Sequence, residues 1–291
     1  IGSLLIADIL RPDKAIRLSR LGVTFVRDTR DSQFDATRGE FFNLDYGIAL
    51  SQLGGNLSFN KLQTSYRRYQ KLNILRGTVL AGNFTLGIAN LFNPRDRNGN
   101  GVIDDVDRTL PISERFFSGG STTIRGFGYE EAGPRDVAPS CFNSTQIDFN
   151  CGLVRDKKGK LIRLNPFLVP IGGNAEAIAN LEARVQLTKL FQVVPFYDGG
   201  NVFRHAGDIF RKGGRPNDPN LTDIERVNLR AQWTHTVGLG FRIKTPIGGS
   251  LAIDYGFLLN PPEFLLPQRM DGPATIRPKS SQIHFRFTQT F

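Results

Sequence analysis

Three sets of side chains in this sequence have the types and spacing to hold charge, metal or a covalent link. The first centres on Arg125, which follows Phe117-Ser118-Gly119-Gly120 and sits in Ile124-Arg125-Gly126-Phe127. Adjacent glycines let a backbone reverse without a Cβ penalty. The aromatic and aliphatic neighbours call for burial, and an arginine is buried only with a partner. The segment therefore reads as a loop that folds back into the protein, carrying a cation that needs a carboxylate. The second set is the run from Asp96 to Asp107. Asp96, Asn98, Asn100, Asp104 and Asp107 supply oxygen at the first, third, fifth, ninth and twelfth positions, with Gly101 sixth and Ile103 eighth. That is the spacing of a twelve-residue calcium loop, in which Val102 at the seventh position would give its carbonyl. Asp107 stands where glutamate is usual, and the flanks read as strand and loop. Calcium would order the loop; a polar Asn-Gly tip is the alternative. The third set is Cys141 and Cys151, close together in a polar loop, which favour a disulfide over two free thiols.

Catalysis finds little support. His205, His235 and His284 lack metal-ligand spacing. No Ser-His-Asp arrangement or nucleophile elbow is visible, and Asp28 and Asp254 read as wall charges. An enzyme is not expected.

The elements that must carry these groups are strands. The chain has 291 residues and a formal charge of +10, with Lys and Arg interleaved among Asp and Glu, so nucleic acid is not an expected partner. No stretch is long and apolar enough for a transmembrane helix. Thirty-one glycines, sixteen prolines and repeated period-2 alternation predict strands joined by turns. The predicted strands cover roughly 17–28, 39–51, 57–70, 74–88, 176–190, 192–203, 231–245, 249–259 and 282–291, with a tenth over 1–10. Leu181, Ala183 and Val185 alternate with Asn180, Glu182 and Arg184, which puts Glu182 on a polar face. Ile283, Phe285, Phe287 and Phe291 alternate with His284, Arg286 and Thr288. The strands over 57–70 and 74–88 alternate poorly, and their facing stays open. A soluble β-sandwich would also alternate. Mid-strand charges, a short turn over 245–249 and long loops over 93–174 and 205–230 favour a membrane barrel with a polar lumen.

Several landmarks then occur in order. They are Arg27-Asp28-Thr29-Arg30-Asp31 with Ala36-Thr37-Arg38-Gly39, the Ile124-Arg125-Gly126-Phe127 loop with Gly133-Pro134, Gly172-Gly173-Asn174, Asn180-Leu181-Glu182, Phe196-Tyr197-Asp198-Gly199-Gly200 and Thr245-Pro246-Ile247-Gly248. Together they resemble the barrel of BamA-like outer-membrane assembly factors, whose relatives include TamA-like factors and two-partner-secretion transporters. The resemblance implies an all-β, antiparallel transmembrane β-barrel, of which 1–291 would be the last nine or ten of sixteen strands. A native smaller barrel is the alternative. The 93–174 loop would enter the lumen, with Arg125, Gly126 and Phe127 as a latch against Glu182 and Asp198. The strand from Gln282 to Phe291, with Phe285 and Phe287, would form half of a lateral gate. The implied function is insertion of outer-membrane proteins without a required cofactor; the alternative is a two-partner-type secretion pore. Implied partners are the lipid bilayer, unfolded outer-membrane proteins as clients, and periplasmic accessory proteins acting through POTRA domains that this sequence does not include. The implied location is a Gram-negative-type outer membrane, with an organelle outer membrane as the alternative.

Overall fold

The structure is a computed structural model that describes residues 17–33, 35–74, 77–94, 96, 101–103, 105–138, 153–155, 161–163, 167–211, 221–230, 232–244, 249–266 and 274–289. The possible strand over 1–10, Cys141, Cys151 and Phe291 lie outside these residues, as do Asn98, Asn100 and Asp104 of the calcium loop.

Period-2 alternation gives most of the long strands one apolar and one polar face, while β3 is largely polar on both. The strands are β1 (Arg20–Asp28), β2 (Gly39–Ala49), β3 (Ser58–Lys71), β4 (Val79–Phe92), β5 (Arg135–Ala138), β6 (Leu153–Arg155), β7 (Leu161–Arg163), β8 (Phe167–Pro170), β9 (Ala175–Gln186), β10 (Phe191–Phe203), β11 (Thr234–Lys244), β12 (Gly249–Leu258), β13 (Phe264–Leu266), β14 (Ala274–Ile276) and β15 (Ser281–Gln289). Nine of them form one antiparallel sheet in the order β1-β2-β3-β4-β9-β10-β11-β12-β15. The short strands pair as β5–β8, β6–β7 and β13–β14 within the long connections. The two end strands of the large sheet are not paired to each other among the described residues. The sheet curves far enough that Asp35, in the β1–β2 turn, forms an ion pair with Lys244 at the end of β11.

The apolar face points outward. Leu181, Val237, Phe241, Tyr255, Ile283 and Phe285 are all exposed there, the face that a membrane barrel turns to lipid. The register settles the facing of β3 and β4. Arg67 lies opposite Asn83 and Gln63 opposite Gly87, on the same face as Asn180 and Glu176 of β9. Both strands therefore share the inward polar face.

That polar face does not enclose a water-filled bore throughout. Residues between β4 and β9 cross it and supply the apolar core. Leu110 and Phe116 pack with Ala49, Phe59 and Ala89 on one side. Ile124, Phe127 and Ala132 pack with Ile178 and Leu258 on the other. The crossing segment is braced internally by isolated bridges between Phe116 and Gly173 and between Ser118 and Ala132.

Candidate functional site

The loop reverses at Gly119 and Gly120, whose φ values of 113° and 105° suit glycine and disfavour other residues. Gly119 N donates to Thr123 Oγ1 at 2.8 Å, which closes the turn. The next residues meet the inner wall, and Arg125 is 3% exposed.

Strand register assembles its partners. Asp198 of β10 lies opposite Asn180 of β9 on one side and Thr236 of β11 on the other. Glu182 is two residues from Asn180 on the same face, beside Phe196. Arg125 donates through Nε to Asp198 Oδ2 at 2.9 Å and through Nη2 to Asp198 Oδ1 at 2.7 Å. Its backbone amide also donates to Asp198 Oδ2, at 3.0 Å. Its remaining terminal nitrogen, Nη1, donates to Glu182 Oε1 at 2.7 Å. The planar fork of a guanidinium matches a carboxylate in this two-point geometry, which an ammonium cannot reproduce. The Phe196 ring lies 3.4 Å below the guanidinium and excludes water from that side.

A second set of contacts holds the acceptors. Asn180 Nδ2 donates to Asp198 Oδ1 at 2.8 Å and to Thr123 O at 2.6 Å, so it joins the wall to the loop. Asn83 of β4 donates to Asn180 Oδ1 at 2.9 Å. Arg184 donates to Glu182 Oε2 at 3.1 Å. Arg242 of β11 makes a two-point contact with Asp254 of β12, whose Oδ2 is 3.9 Å from Arg125. His284 Nε2 of β15 lies 3.0 Å from Arg125 O, and Arg286 donates to Ser121 O at 3.2 Å. One arginine thus connects β9, β10, β12 and β15 through its own contacts. Burial makes an unmatched charge costly, and the network gives every carboxylate oxygen of Asp198, Glu182 and Asp254 a donor.

Glycine makes room for the approach. A Cβ on Gly256 would fall 2.4 Å from Arg125 O, and one on Gly126 would fall 2.4 Å from Thr236 Oγ1. The Gly in the Arg-Gly-Phe sequence is required by contact with β11 and β12, and Phe127 then fills the apolar pocket beside Ile178.

The same loop has a second attachment nearer β3. Ser118 Oγ donates to Glu176 Oε2 and Gln63 Nε2 to Glu176 Oε1, both at 3.0 Å. Lys61 Nζ donates to Glu114 O at 2.8 Å and lies 4.6 Å from the centre of the Phe116 ring.

The predicted latch residues Arg125, Gly126, Phe127, Glu182 and Asp198 are brought together. Sequence reasoning missed Asn180, Phe196, Glu176 and His284 as partners. The signal for Asn180, Glu176 and His284 was membership of a polar strand face, and Phe196 carried none; which of them would meet depends on register. Of the predicted calcium ligands, Asp96, Val102 and Asp107 are among the described residues. Gly101 N donates to Asp96 Oδ2 at 2.7 Å, while Asp107 is buried within the short helix Asp105–Arg108. No group of three or more metal-binding side chains occurs among the described residues. Of the gate residues, Gln282 lies opposite Gly256 on the inner face, and Phe285 and Phe287 point outward.

Comparison with known proteins places this geometry in context. The Omp85 superfamily domain matches residues 12–291. A SAM50-like protein of Schizosaccharomyces pombe is 26% identical over 162 residues, 55% of this chain and 31% of the relative. Outer membrane protein assembly factor BamA of Nitratidesulfovibrio vulgaris is 31% identical over 244 residues, 82% of this chain and 22% of the relative. The chain therefore spans less than a third of the length of these curated relatives. The crystal structure of BamA from Haemophilus ducreyi lacking POTRA domains 1-3 matches 93% of this chain and 42% of that one, with a TM-score of 0.57 at 17% identity, a likeness of fold.

Proposed function

This chain belongs to the Omp85 superfamily, and from that premise we propose that it inserts other β-barrel proteins into an outer membrane. The observation that carries this reading is the filled lumen. The loop crosses from Phe59 on β3 to Leu258 on β12, and Arg125 fastens it to the wall. A substrate threaded through the lumen would first have to break that network. A substrate added at the sheet edge would not. The outer edge of β15 has no strand partner among the described residues, so its backbone groups can template an incoming strand. Phe285 and Phe287 would keep that edge at lipid depth. Unfolded barrel proteins are then the clients, and the latch keeps the lumen shut while the edge works.

Depletion of the full-length protein in cells tests this. A general fall in folded outer-membrane barrels, read by heat-modifiable mobility of several of them, is the expected result. Loss of a single exported protein with normal barrel assembly would instead make it a secretion pore.

A further inference from the structure

The outer face carries one further feature, on the wall behind the latch and away from the β15 edge. Between β3, β4, β9 and β10 lies a groove of about 560 Å³, lined by Arg68, Leu80, Gly82, Leu181, Pro195 and Tyr197. Register explains it. Arg68 is directly opposite Gly82, Gly82 opposite Leu181, and Leu181 opposite Tyr197. A glycine in the middle of this row removes a side chain and leaves a trough with an arginine at one end. The trough has room to spare at Gly82, where an added Cβ would make only ordinary contact, 3.5 Å from Leu181.

Arg68 is exposed and forms no ion pair among the described residues. Its opposite neighbour Glu40 is occupied by the Tyr66 hydroxyl at 2.8 Å and by Arg27 at 3.7 Å. Arg68 stands three residues before the end of β3, at the sheet end with short turns. A lipid-facing cation costs several kcal/mol at the bilayer centre but only about 0–1 near the interface, where headgroups lie. A cation beside an apolar trough near the rim offers the two chemistries of a phospholipid, a partner for the phosphate and an apolar bed for a chain.

We propose that this groove binds one phospholipid, with its phosphate on the Arg68 guanidinium and an acyl chain along Leu80, Gly82, Leu181 and Pro195. A guanidinium suits a phosphate as it suits a carboxylate. A polypeptide occupant is disfavoured because β3, β4, β9 and β10 are each paired on both sides and offer no strand edge. The groove lies away from β15, so the lipid is a fixed part of the wall rather than a seam component.

The test uses the full-length protein purified in a phosphate-free sugar detergent and titrated with phosphatidylglycerol. Native mass spectrometry should retain one lipid under activation that strips the others. Arg68→Gln should weaken its apparent affinity about tenfold, the worth of one charge-assisted hydrogen bond. Gly82→Leu should abolish retention by filling the trough, while Arg27→Gln, at the same rim but outside the groove, should leave it unchanged. A thermal melt gives a second readout, because a lipid bound only to the folded state raises the melting temperature of the parent but not of the two groove variants. Equal retention in all four proteins would overturn the proposal. So would equal loss in Arg27→Gln and Arg68→Gln, which would mark general charge attraction at the rim, or retention of an added peptide in place of the lipid.

Discussion

Two arginine clusters stand on the same inner wall, and they differ in what lies over them. Around Arg125, the side chains of Arg125, Asp198 and Asp254 are at most 3% exposed and Glu182 is 14% exposed. Around Arg20 of β1, the pair with Asp45 spans 3.4 Å with both side chains about 40% exposed, and Glu114 is 3.9 Å away. The residue types are the same. The loop covers the first cluster; at the second it contributes only Glu114 at the margin, and water reaches the Arg20–Asp45 pair. Removing water strengthens each matched charge and raises the cost of each orphan. An exposed pair gains little from its Coulomb attraction and loses that little to screening and side-chain entropy. The covered cluster is therefore a strut, and the uncovered one is a solvated contact.

The largest predicted effect breaks the strut. Asp198→Ala leaves Arg125 buried without its two-point partner, and should cost about 3–5 kcal/mol. Urea unfolding in detergent would read the loss, and limited proteolysis should show the loop released. A double-mutant cycle with Arg125→Ala should return a coupling of about 2 kcal/mol or more. Additive costs would mean that the two side chains do not act together. Arg20→Ala in the same assay is the internal comparison, expected to cost no more than about 1 kcal/mol. Equal costs for the two clusters would remove the distinction between them.

A smaller effect sharpens the same contrast through shape rather than charge. Gly256→Ala puts a methyl group against the Arg125 carbonyl, where the opposing atom is backbone and cannot swing away. The loop must lift, at a cost of about 1–3 kcal/mol typical of overpacking. Gly22, on the inner face of β1, would bring its Cβ 3.4 Å from Tyr46 O and meets no covering loop. Gly22→Ala should leave proteolytic protection of the loop unchanged. Loss of protection in both variants would indicate general weakening of the sheet.

The contrast also separates what could be read in the sequence from what could not. β9 was legible because Leu181, Ala183 and Val185 leave one face for Asn180, Glu182 and Arg184, and alternation is a local property. The start of β4 was not. Ile74 suggested a strand from 74, but it is exposed in the β3–β4 turn, which Leu72 N closes on Thr78 O at 2.8 Å. The strand begins at Val79 and runs on to Phe92. The partners of Arg125 show the same limit. Glu182 and Asp198 followed from the family resemblance. His284 and Phe196 follow only from pairing β12 with β15 and β9 with β10, and a one-residue slip would have turned each to the other face. The membrane setting was legible from charges in mid-strand. The row that leaves Gly82 between Arg68 and Leu181 joins the β3–β4 hairpin to β9, about a hundred residues further along the chain, and was not.

The smallest effect belongs to the uncovered end, where the β1–β2 turn lies in water. Asp31 accepts the Thr37 hydroxyl at 2.5 Å and the amides of Thr37 and Arg38 at 2.8 and 3.2 Å. The Thr37 hydroxyl leads these contacts in holding the Asp31 carboxyl down from 3.8 to about 2. A group whose pKa is lowered by folding stabilises the fold above its unfolded value. The Asp31 contribution should therefore be fully present above pH 3.8 and fade as pH falls toward 2. Thr37→Val removes the leading contact and should move the Asp31 midpoint upward, read by carboxyl-carbon NMR of labelled protein in detergent. Because the turn lies outside the covered region, the same acid titration should leave protection of the Arg125 loop unchanged over that window in both proteins. A midpoint unchanged by Thr37→Val would assign the depression to the two amides alone. Release of the loop in step with Asp31 would show that the two ends of the wall are coupled through the sheet, and that covering by the loop is not what sets them apart.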